Sequence, residues 1–269
     1  MRPIGEVDGA DRYIAPVPTL DDAPLVLLPP SEGKAAGGRR QPTAGTFSRS
    51  LARPRAQVRE ALGATLAAGG PPERVLGVRG ALLEAALDAT RRVVAGRPLL
   101  LPAWERYTGV VWGHLDAATL SAGDRERILV PSGLYGITTA EDPIADYRLK
   151  LSVSLTGLGG LARFWRPIVT EALCRVAAGR TIVTMLPVEH AAVVDEAVLG
   201  EVCDVVDVRF LDDRGSRTVG HAAKAAKGAA ARTLLLGGLP ALERFRFEGW
   251  RAECADDHLA IISPPGASS

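Results

Sequence analysis

The stretch that decides the fold reads Leu25-Val26-Leu27-Leu28-Pro29-Pro30-Ser31-Glu32-Gly33-Lys34. An apolar run stopped by two prolines is typical of a short buried strand, because proline cannot donate to a β-ladder and turns the chain out of the sheet. A hydroxyl, a carboxylate, a glycine and an ammonium then follow at the carboxyl end of the strand, where open α/β sheets bind ligands. The same residues are also typical of a solvated turn, and this stretch alone leaves both interpretations open.

Apolar runs and helical spacing alternate along the rest of the chain. Runs typical of strands cover 99–101, 128–130, 181–187, 205–211 and 258–262. Helical spacing covers 48–68, 81–94, 116–127, 167–178 and 218–236. This alternation predicts a single α/β domain over residues 24–262, with one mixed β-sheet flanked by helices. We expect residues 1–23 to be a flexible lead-in and residues 263–269 to be a disordered tail.

Composition limits the classes of function. The 269 residues are 47% hydrophobic, and 32 Lys+Arg against 31 Asp+Glu give a net charge of +1. The chain can therefore bury a sizeable core, but a basic surface requires clustering of its cations. Three widely spaced cysteines without a CxxC pair favour a reducing cytoplasm and no metal site. Because the sequence shows no secretory signal, bilayer-spanning run or nucleotide-cofactor motif, we expect a cytoplasmic protein without membrane contact, metal or cofactor.

Further polar groups follow other apolar runs. Ser132-Gly133-Leu134-Tyr135-Gly136 comes after the run at 128–130, and its glycines let the backbone fold tightly while the tyrosine ring is presented to one side. Tyr147-Arg148 comes shortly afterwards, and arginine offers a planar fork that fits phosphate or carboxylate. Tyr107-Thr108 stands beside Gly109, where a ligand can approach the backbone, although sheet residues beside a turn are an equal interpretation.

Two predicted helices carry basic residues. In the alanine-rich helix at 218–236, Lys224 and Lys227 are neighbours at helical spacing, and Gly228 allows another backbone to come close. The helix at 48–68 has a basic face that is either solvated or turned toward phosphate. This face carries Arg49, Arg53, Arg55 and Arg59.

These positions give two sets of candidate residues. The catalytic candidates are Ser31, Lys34, Tyr135 and Arg148. A lysine whose pKa is lowered by a neighbouring arginine can act as a base or nucleophile. The candidates for binding a ligand or DNA are Lys34, Tyr107, Thr108, Ser132, Gly133, Tyr135, Arg148, Lys224, Lys227 and Arg232. Neutralising DNA phosphates requires several cations on one wall, and the chain also offers Arg39, Arg40 and Lys150.

In their order along residues 24–262, these motifs resemble the YaaA peroxide-stress protein family. The most specific piece is Ser132-Gly133-Leu134-Tyr135-Gly136 followed by Tyr147-Arg148-Leu149. The accompanying pieces are Pro30-Ser31-x-x-Lys34, Tyr107-Thr108-Gly109, Phe164-Trp165, Lys224-x-x-Lys227-Gly228 and Glu248-Gly249-Trp250. The resemblance implies a YaaA-like (cantaloupe) α/β fold with a positively charged cleft and a helix-hairpin-helix element. It also implies a cytoplasmic protein of the peroxide response that limits iron-dependent damage and is associated with DNA binding and recombinational repair, with no catalytic reaction established.

Several functions follow as hypotheses. The first is a peroxide-response protein that binds DNA through a positively charged cleft and limits oxidative DNA damage. The second is an enzyme that acts on a nucleotide, a nucleobase or another small anion in a pocket of Ser31, Lys34, Tyr135 and Arg148. A third is a protein-binding stress factor without such a site. We expect the separated segments to converge on one cationic hollow, and the sequence leaves the oligomeric state open.

One short segment has two structural interpretations. Residues 131–136 faintly resemble the hairpin of a helix-hairpin-helix element, whose glycine amides would contact phosphate. They are also typical of a strand followed by a turn, which is the favoured interpretation.

Overall fold

The structure is a computed structural model that describes residues 23–40, 44–216, 220–255 and 257–265. The predicted lead-in up to residue 22 and the predicted tail from residue 266 lie outside the described residues. The same holds for Thr218, at the start of a predicted helix.

Within the described ranges the chain forms one large sheet, smaller two-stranded sheets and helices of several lengths. The strands are β1 (Leu25–Leu27), β2 (Leu100–Pro102), β3 (Ile128–Ser132), β4 (Gly136–Thr139), β5 (Pro143–Ala145), β6 (Ser154–Leu155), β7 (Gly159–Gly160), β8 (Thr181–Thr184), β9 (Asp204–Leu211), β10 (Arg246–Phe247), β11 (Trp250–Cys254) and β12 (Leu259–Ile262). The α-helices are α1 (Ala52–Ala67), α2 (Pro72–Leu76), α3 (Ala81–Val94), α4 (Ala103–Arg106), α5 (Val110–Leu115), α6 (Ala122–Glu126), α7 (Leu161–Ala177), α8 (Val188–Ala191), α9 (Glu196–Gly200) and α10 (His221–Leu242).

The large sheet has the strand order β10-β11-β12-β9-β8-β1-β3-β4 among the described residues. Its middle strands, from β12 to β3, pair in parallel, and antiparallel hairpins extend the sheet at both edges. Strands β1 and β3 are buried along their whole length, as expected for parallel strands that helices cover on both faces. The prediction of a mixed sheet flanked by helices is confirmed, and the β2–β5 and β6–β7 pairs form small sheets apart from it.

Helix α7 begins earlier than its proline predicts. The sequence places the helix start at Pro167, because proline is common in a first helical turn. In the structure the helix starts at Leu161, and Pro167 lies inside it. The free N–H groups of the first turn are satisfied from outside the helix, since Leu161 N donates to Val153 O at 2.9 Å and Ala162 N donates to Leu151 O at 3.0 Å. Tertiary contacts therefore set this boundary.

The helix predicted over 116–127 is divided in two. A 3-10 turn spans Ala117–Thr119, and α6 follows after Ser121. The Ser121 hydroxyl accepts the N–H of Asp124 at 3.1 Å, and the Asp124 carboxylate accepts the N–H of Ser121 at 3.3 Å. This reciprocal capping box starts a new helix and ends the preceding one.

Residues 131–136 form a strand and a turn. β3 ends at Ser132, β4 begins at Gly136, and the two strands pair antiparallel. The favoured interpretation of this segment is confirmed, and the predicted helix-hairpin-helix element does not lie here.

Helix α10 packs closely against α5. A Cβ atom at Gly228 would lie 2.2 Å from the carbonyl oxygen of Val111, so only glycine permits this approach of the two backbones. The predicted close contact at this glycine is confirmed. The helix changes direction at Gly238, where φ is +69°. None of the described helices combines the length and apolar character needed to cross a membrane.

Candidate functional site

Polar residues from separate segments meet at the carboxyl edge of the large sheet. Strands β1, β3 and β8 are adjacent and parallel, so the loops that follow them leave the sheet at the same edge. These loops line a cavity of about 100 Å³, which we call the Lys34 cavity. Its lining includes Ser31, Lys34, Gly133, His190 and the segments 76–78 and 147–151. The loops that follow β1 and β3 therefore meet at this cavity, and of the basic candidates Lys34, Arg148 and Lys150 line it.

The loop that carries Lys34 is fixed to the segment between α4 and α5. The Ser31 hydroxyl donates to the carbonyl oxygen of Thr108, and Thr108 N donates to Gly33 O at 3.0 Å. Lys34 forms a β-bridge with Tyr107. These bonds place both Ser31 and Thr108 in structural contacts and hold the Lys34 backbone in one position.

The Lys34 ammonium is buried among aromatic rings. Its Nζ lies 4.5 Å from the centre of the Tyr147 ring and 5.3 Å from that of Tyr107, and it donates to Ser31 O at 2.8 Å. Burial, and then the positive charge of Arg148, lower the pKa of Lys34 from 10.5 to about 7. Near neutral pH, Lys34 is therefore uncharged in roughly half of the molecules, and the neutral amine can accept a proton or attack an electrophile.

Buried hydroxyl groups form a chain beneath Lys34. The Ser132 hydroxyl donates to the Tyr147 hydroxyl at 2.8 Å, and the Tyr147 and Tyr107 hydroxyls lie 3.0 Å apart. Burial raises the pKa of Tyr107 and of Tyr147, so both phenols stay protonated near neutral pH. This chain fixes the rings that contact the lysine.

Arg148 also lines the cavity. Its guanidinium pairs with Asp146 and donates to Tyr147 O at 3.0 Å. The following residues cross directly over Gly133, where a Cβ atom would lie 2.4 Å from Leu149 O. Gly133 thus permits the close approach that brings Arg148 to the cavity.

The rim of the cavity carries an ion pair. Lys150 Nζ lies 2.8 Å from a Glu32 carboxylate oxygen, and both side chains are largely exposed. The hydrogen bond and charge of Lys150 lower the pKa of Glu32, and the charges of Lys224 and Lys34 add to this effect. The exposed Lys224 of α10 therefore lies within electrostatic reach of the rim.

Tyr135 faces away from the Lys34 cavity. Its hydroxyl accepts the N–H of Ala145 at 3.0 Å, and its ring meets the Tyr147 ring edge to face, with the centroids 5.5 Å apart. The side chain lines a neighbouring cavity together with Arg55. The structure thus brings together Ser31, Lys34 and Arg148, and it places the fourth catalytic candidate behind Tyr147.

The other basic candidates are dispersed. Lys227 donates to Met185 O at 2.6 Å, and its Nζ lies 5.1 Å from the centre of the Phe210 ring. Arg232 donates to Leu115 O at 3.1 Å and so satisfies a carbonyl at the end of α5. The Arg39 backbone pairs with Leu100, and Arg40 lines a different cavity, which is bounded by Arg91, Arg92 and Arg97.

The predicted basic face of the first long helix is only partly solvated. Arg55 extends inward and donates to the carbonyl oxygens of Tyr135 at 2.9 Å and Ile137 at 2.8 Å. Arg53, two residues earlier, is exposed. The prediction that this face is either solvated or turned toward phosphate is therefore wrong for Arg55, whose carbonyl partners lie about eighty residues away in sequence.

Two further residues shape the site and were not among the predicted set. His190, within the short helix α8, lines the cavity; burial lowers its pKa, and its Nδ1 has no partner within the described part of the chain. In the sequence, the signal that could have marked His190 is its position just after an apolar run that ends in proline. Arg106 is fully buried and donates to the carbonyl oxygens of Ala35, Gly37, Leu99 and Ile144. It holds the loop that follows Lys34, and no local pattern marks it.

Comparison with known proteins gives the family. Residues 25–256 match the family described as peroxide stress protein YaaA. A UPF0246 protein of Streptomyces coelicolor is 38% identical over 223 residues, which is 80% of this chain and 84% of the relative. A UPF0246 protein of Corynebacterium glutamicum is 33% identical over 221 residues, covering 79% of this chain and 85% of the relative. The chain therefore belongs to the YaaA peroxide-stress protein family.

Proposed function

We propose that the Lys34 cavity binds a nucleotide, a nucleobase or another small anion, and that Lys34 acts on it as a general base or nucleophile. The observation that carries the proposal is the buried amine with a pKa of about 7, which opens onto a cavity. Lysines perturbed in this way by burial and a neighbouring cation are typical of functional sites.

The walls of the cavity suit an anion. Arg148 brings a guanidinium to one side, and its fork can bind a phosphate or a carboxylate in two places at once. Lys150 adds a flexible cation at the rim. Asp146 and Glu32 pair with these cations, so the local positive charge is modest and fits a small ligand.

The test is a thermal-shift screen of nucleobases, nucleoside monophosphates, small phosphates and small carboxylates, with turnover of each hit followed by mass spectrometry. The wild-type protein is compared with Lys34→Met and Lys34→Arg. We expect both variants to remain folded and to lose turnover, because arginine keeps the positive charge but does not become neutral near pH 7. A hit that Lys34→Met turns over as fast as the wild type would refute the role of the lysine.

A second proposal is that the protein binds DNA in the cytoplasm and limits oxidative DNA damage during peroxide stress. It is supported by family membership and by the exposed Lys224 and Lys150 beside the cavity. Binding of this kind depends on salt, with a log–log slope of about −0.9 per phosphate neutralised on duplex DNA.

Gel shifts on duplex and bubble DNA over a range of salt concentrations test this second proposal. We expect binding at low salt, and a shallower salt slope for the double variant Lys150→Gln/Lys224→Gln. The control is Arg163→Gln, which removes an exposed cation from α7. Absence of binding at low salt would exclude DNA as a partner.

A further inference from the structure

A second cavity lies beside the Lys34 cavity and shares no lining residue with it. Its volume is about 300 Å³, at the lower end of the range of small-molecule sites. Helix α1, the end of α3 and the β3–β4 hairpin form its walls. We call it the Arg55 cavity, after an arginine of α1 that lines it.

Two arginines of α1 face this cavity one helical turn apart. Arg55 uses Nε and Nη2 on the carbonyl oxygens of Tyr135 and Ile137, and none of the described hydrogen bonds involves its Nη1. Arg59 lines the same cavity, half-buried, and makes no hydrogen bond or ion pair within the described residues. One guanidinium is therefore anchored by the fold, and the other is available to a ligand.

The carboxylate in the lining is already occupied. Asp142 is buried and accepts Thr46 N at 2.8 Å, Thr139 N at 3.2 Å and Thr139 Oγ1 at 3.0 Å. Its oxygens thus accept hydrogen bonds from Thr46 and Thr139, and no described hydrogen bond or ion pair joins it to Arg59. Two guanidiniums and this carboxylate leave a local charge of +1, which a single negative charge would balance.

Part of the remaining lining is apolar and includes Val93, Pro98 and Leu134, beside the hydroxyl-bearing residues Ser48, Tyr135 and Thr138. A bare inorganic ion would leave the apolar side chains without contacts, whereas a compact hydrocarbon body would pack against them. We propose that the Arg55 cavity binds a small organic monocarboxylate, whose carboxylate lies between Arg55 and Arg59 and whose apolar body packs against Val93 and Leu134.

The probe is benzoate, titrated into the full chain by isothermal calorimetry, with benzamide as a neutral analogue of the same shape. We expect benzoate to bind and benzamide to bind at least about tenfold more weakly, because charge-assisted hydrogen bonds to guanidinium are lost. Arg59→Gln should weaken benzoate by about tenfold. The matched control is Arg53→Gln, an exposed arginine of the same helix, which should leave the affinity unchanged.

A second variant blocks the cavity sterically. Ala52 lines the cavity and is exposed to solvent, so Ala52→Phe should fill the space and abolish benzoate binding without changing the melting temperature. The proposal is overturned if benzoate does not bind, or if its affinity is the same in the wild type, Arg59→Gln and Ala52→Phe. Either outcome leaves the proposed role of Lys34 untouched, because the two cavities have no lining residue in common.

Discussion

Replacing Lys34 with methionine should stabilise the folded protein near neutral pH. The pKa of Lys34 is about 7 in the folded protein and 10.5 for an unperturbed lysine. The two values differ by about 3.5, and each pKa unit corresponds to about 1.4 kcal/mol. At pH 7 the unfolded chain therefore gains about 4 kcal/mol more from protonation of this lysine than the folded protein does.

Methionine does not titrate, so the difference in protonation free energy between the unfolded and folded states disappears. Some native contacts of Lys34 are lost with it. The main loss is the hydrogen bond from Nζ to Ser31 O, which is worth about 1 kcal/mol. Methionine fills a similar volume, so the packing against Tyr147 and Tyr107 is largely kept. We expect Lys34→Met to be more stable than the wild type by about 2–3 kcal/mol at pH 7.

The pH dependence gives the sharper measurement. Because the folded-state pKa is depressed, the unfolded chain binds more protons between pH 7 and 10.5, and wild-type stability rises with pH through that window. The advantage of Lys34→Met should thus shrink by about 3 kcal/mol between about pH 7 and about pH 9.5. Urea denaturation at both pH values measures it, and other titrating groups cancel in the comparison of the two proteins.

Lys150→Met provides the control. Lys150 is largely exposed and paired with an exposed Glu32, so its removal should change stability by less than about 1 kcal/mol. If Lys34→Met is less stable than the wild type at both pH values, or if its advantage is the same at both, the reasoning about the buried amine is wrong. A changed m value would instead indicate that the variant folds differently.

Three other substitutions test the packing around the site. Gly228→Ala should lower the free energy of unfolding by about 1–3 kcal/mol, and with it the melting temperature, since the new Cβ would lie 2.2 Å from Val111 O. An unchanged melting temperature would mean that the two helices separate without cost. Arg106→Met should cost about 3 kcal/mol in urea denaturation, because several buried carbonyls lose their donor. Ser132→Ala should cost about 1–2 kcal/mol by the same assay, because the buried Tyr147 hydroxyl loses a partner; a neutral result would show that it finds another.

The sequence was sufficient where local pattern controls structure. The apolar run at 25–28 and its two prolines located β1 and the turn after it, and the helix predicted at 81–94 matches α3. The meeting of the Lys34 loop with the Ser132 loop follows from the parallel pairing of β1 and β3; the alternation of strands and helices predicted a mixed sheet but not which strands are neighbours. The nearness of Arg148 to Lys34 was expected as well.

Non-local contacts account for what the sequence did not predict. Helical spacing gives the direction of Arg55 relative to α1, but only the tertiary fold places the carbonyls of a distant hairpin beside it. Tyr135 lies in a tight turn, where a small change of backbone angle decides which cavity its ring faces. Arg106 stabilises a loop through carbonyl oxygens, and carbonyls leave no signature in the sequence.

The charges around the Lys34 cavity favour a small ligand over a nucleic acid. DNA binding gains free energy from cations that are free to replace counterions on phosphates. Here Arg148 is paired with Asp146, Lys150 is paired with Glu32, and Lys34 is only partly charged near pH 7. A phosphate backbone would have to displace those carboxylates and would still not reach the buried amine. Under the proposed function, a small anion would enter the cavity and contact Arg148 and Lys34 together, and it would use an amine that is only partly charged near pH 7.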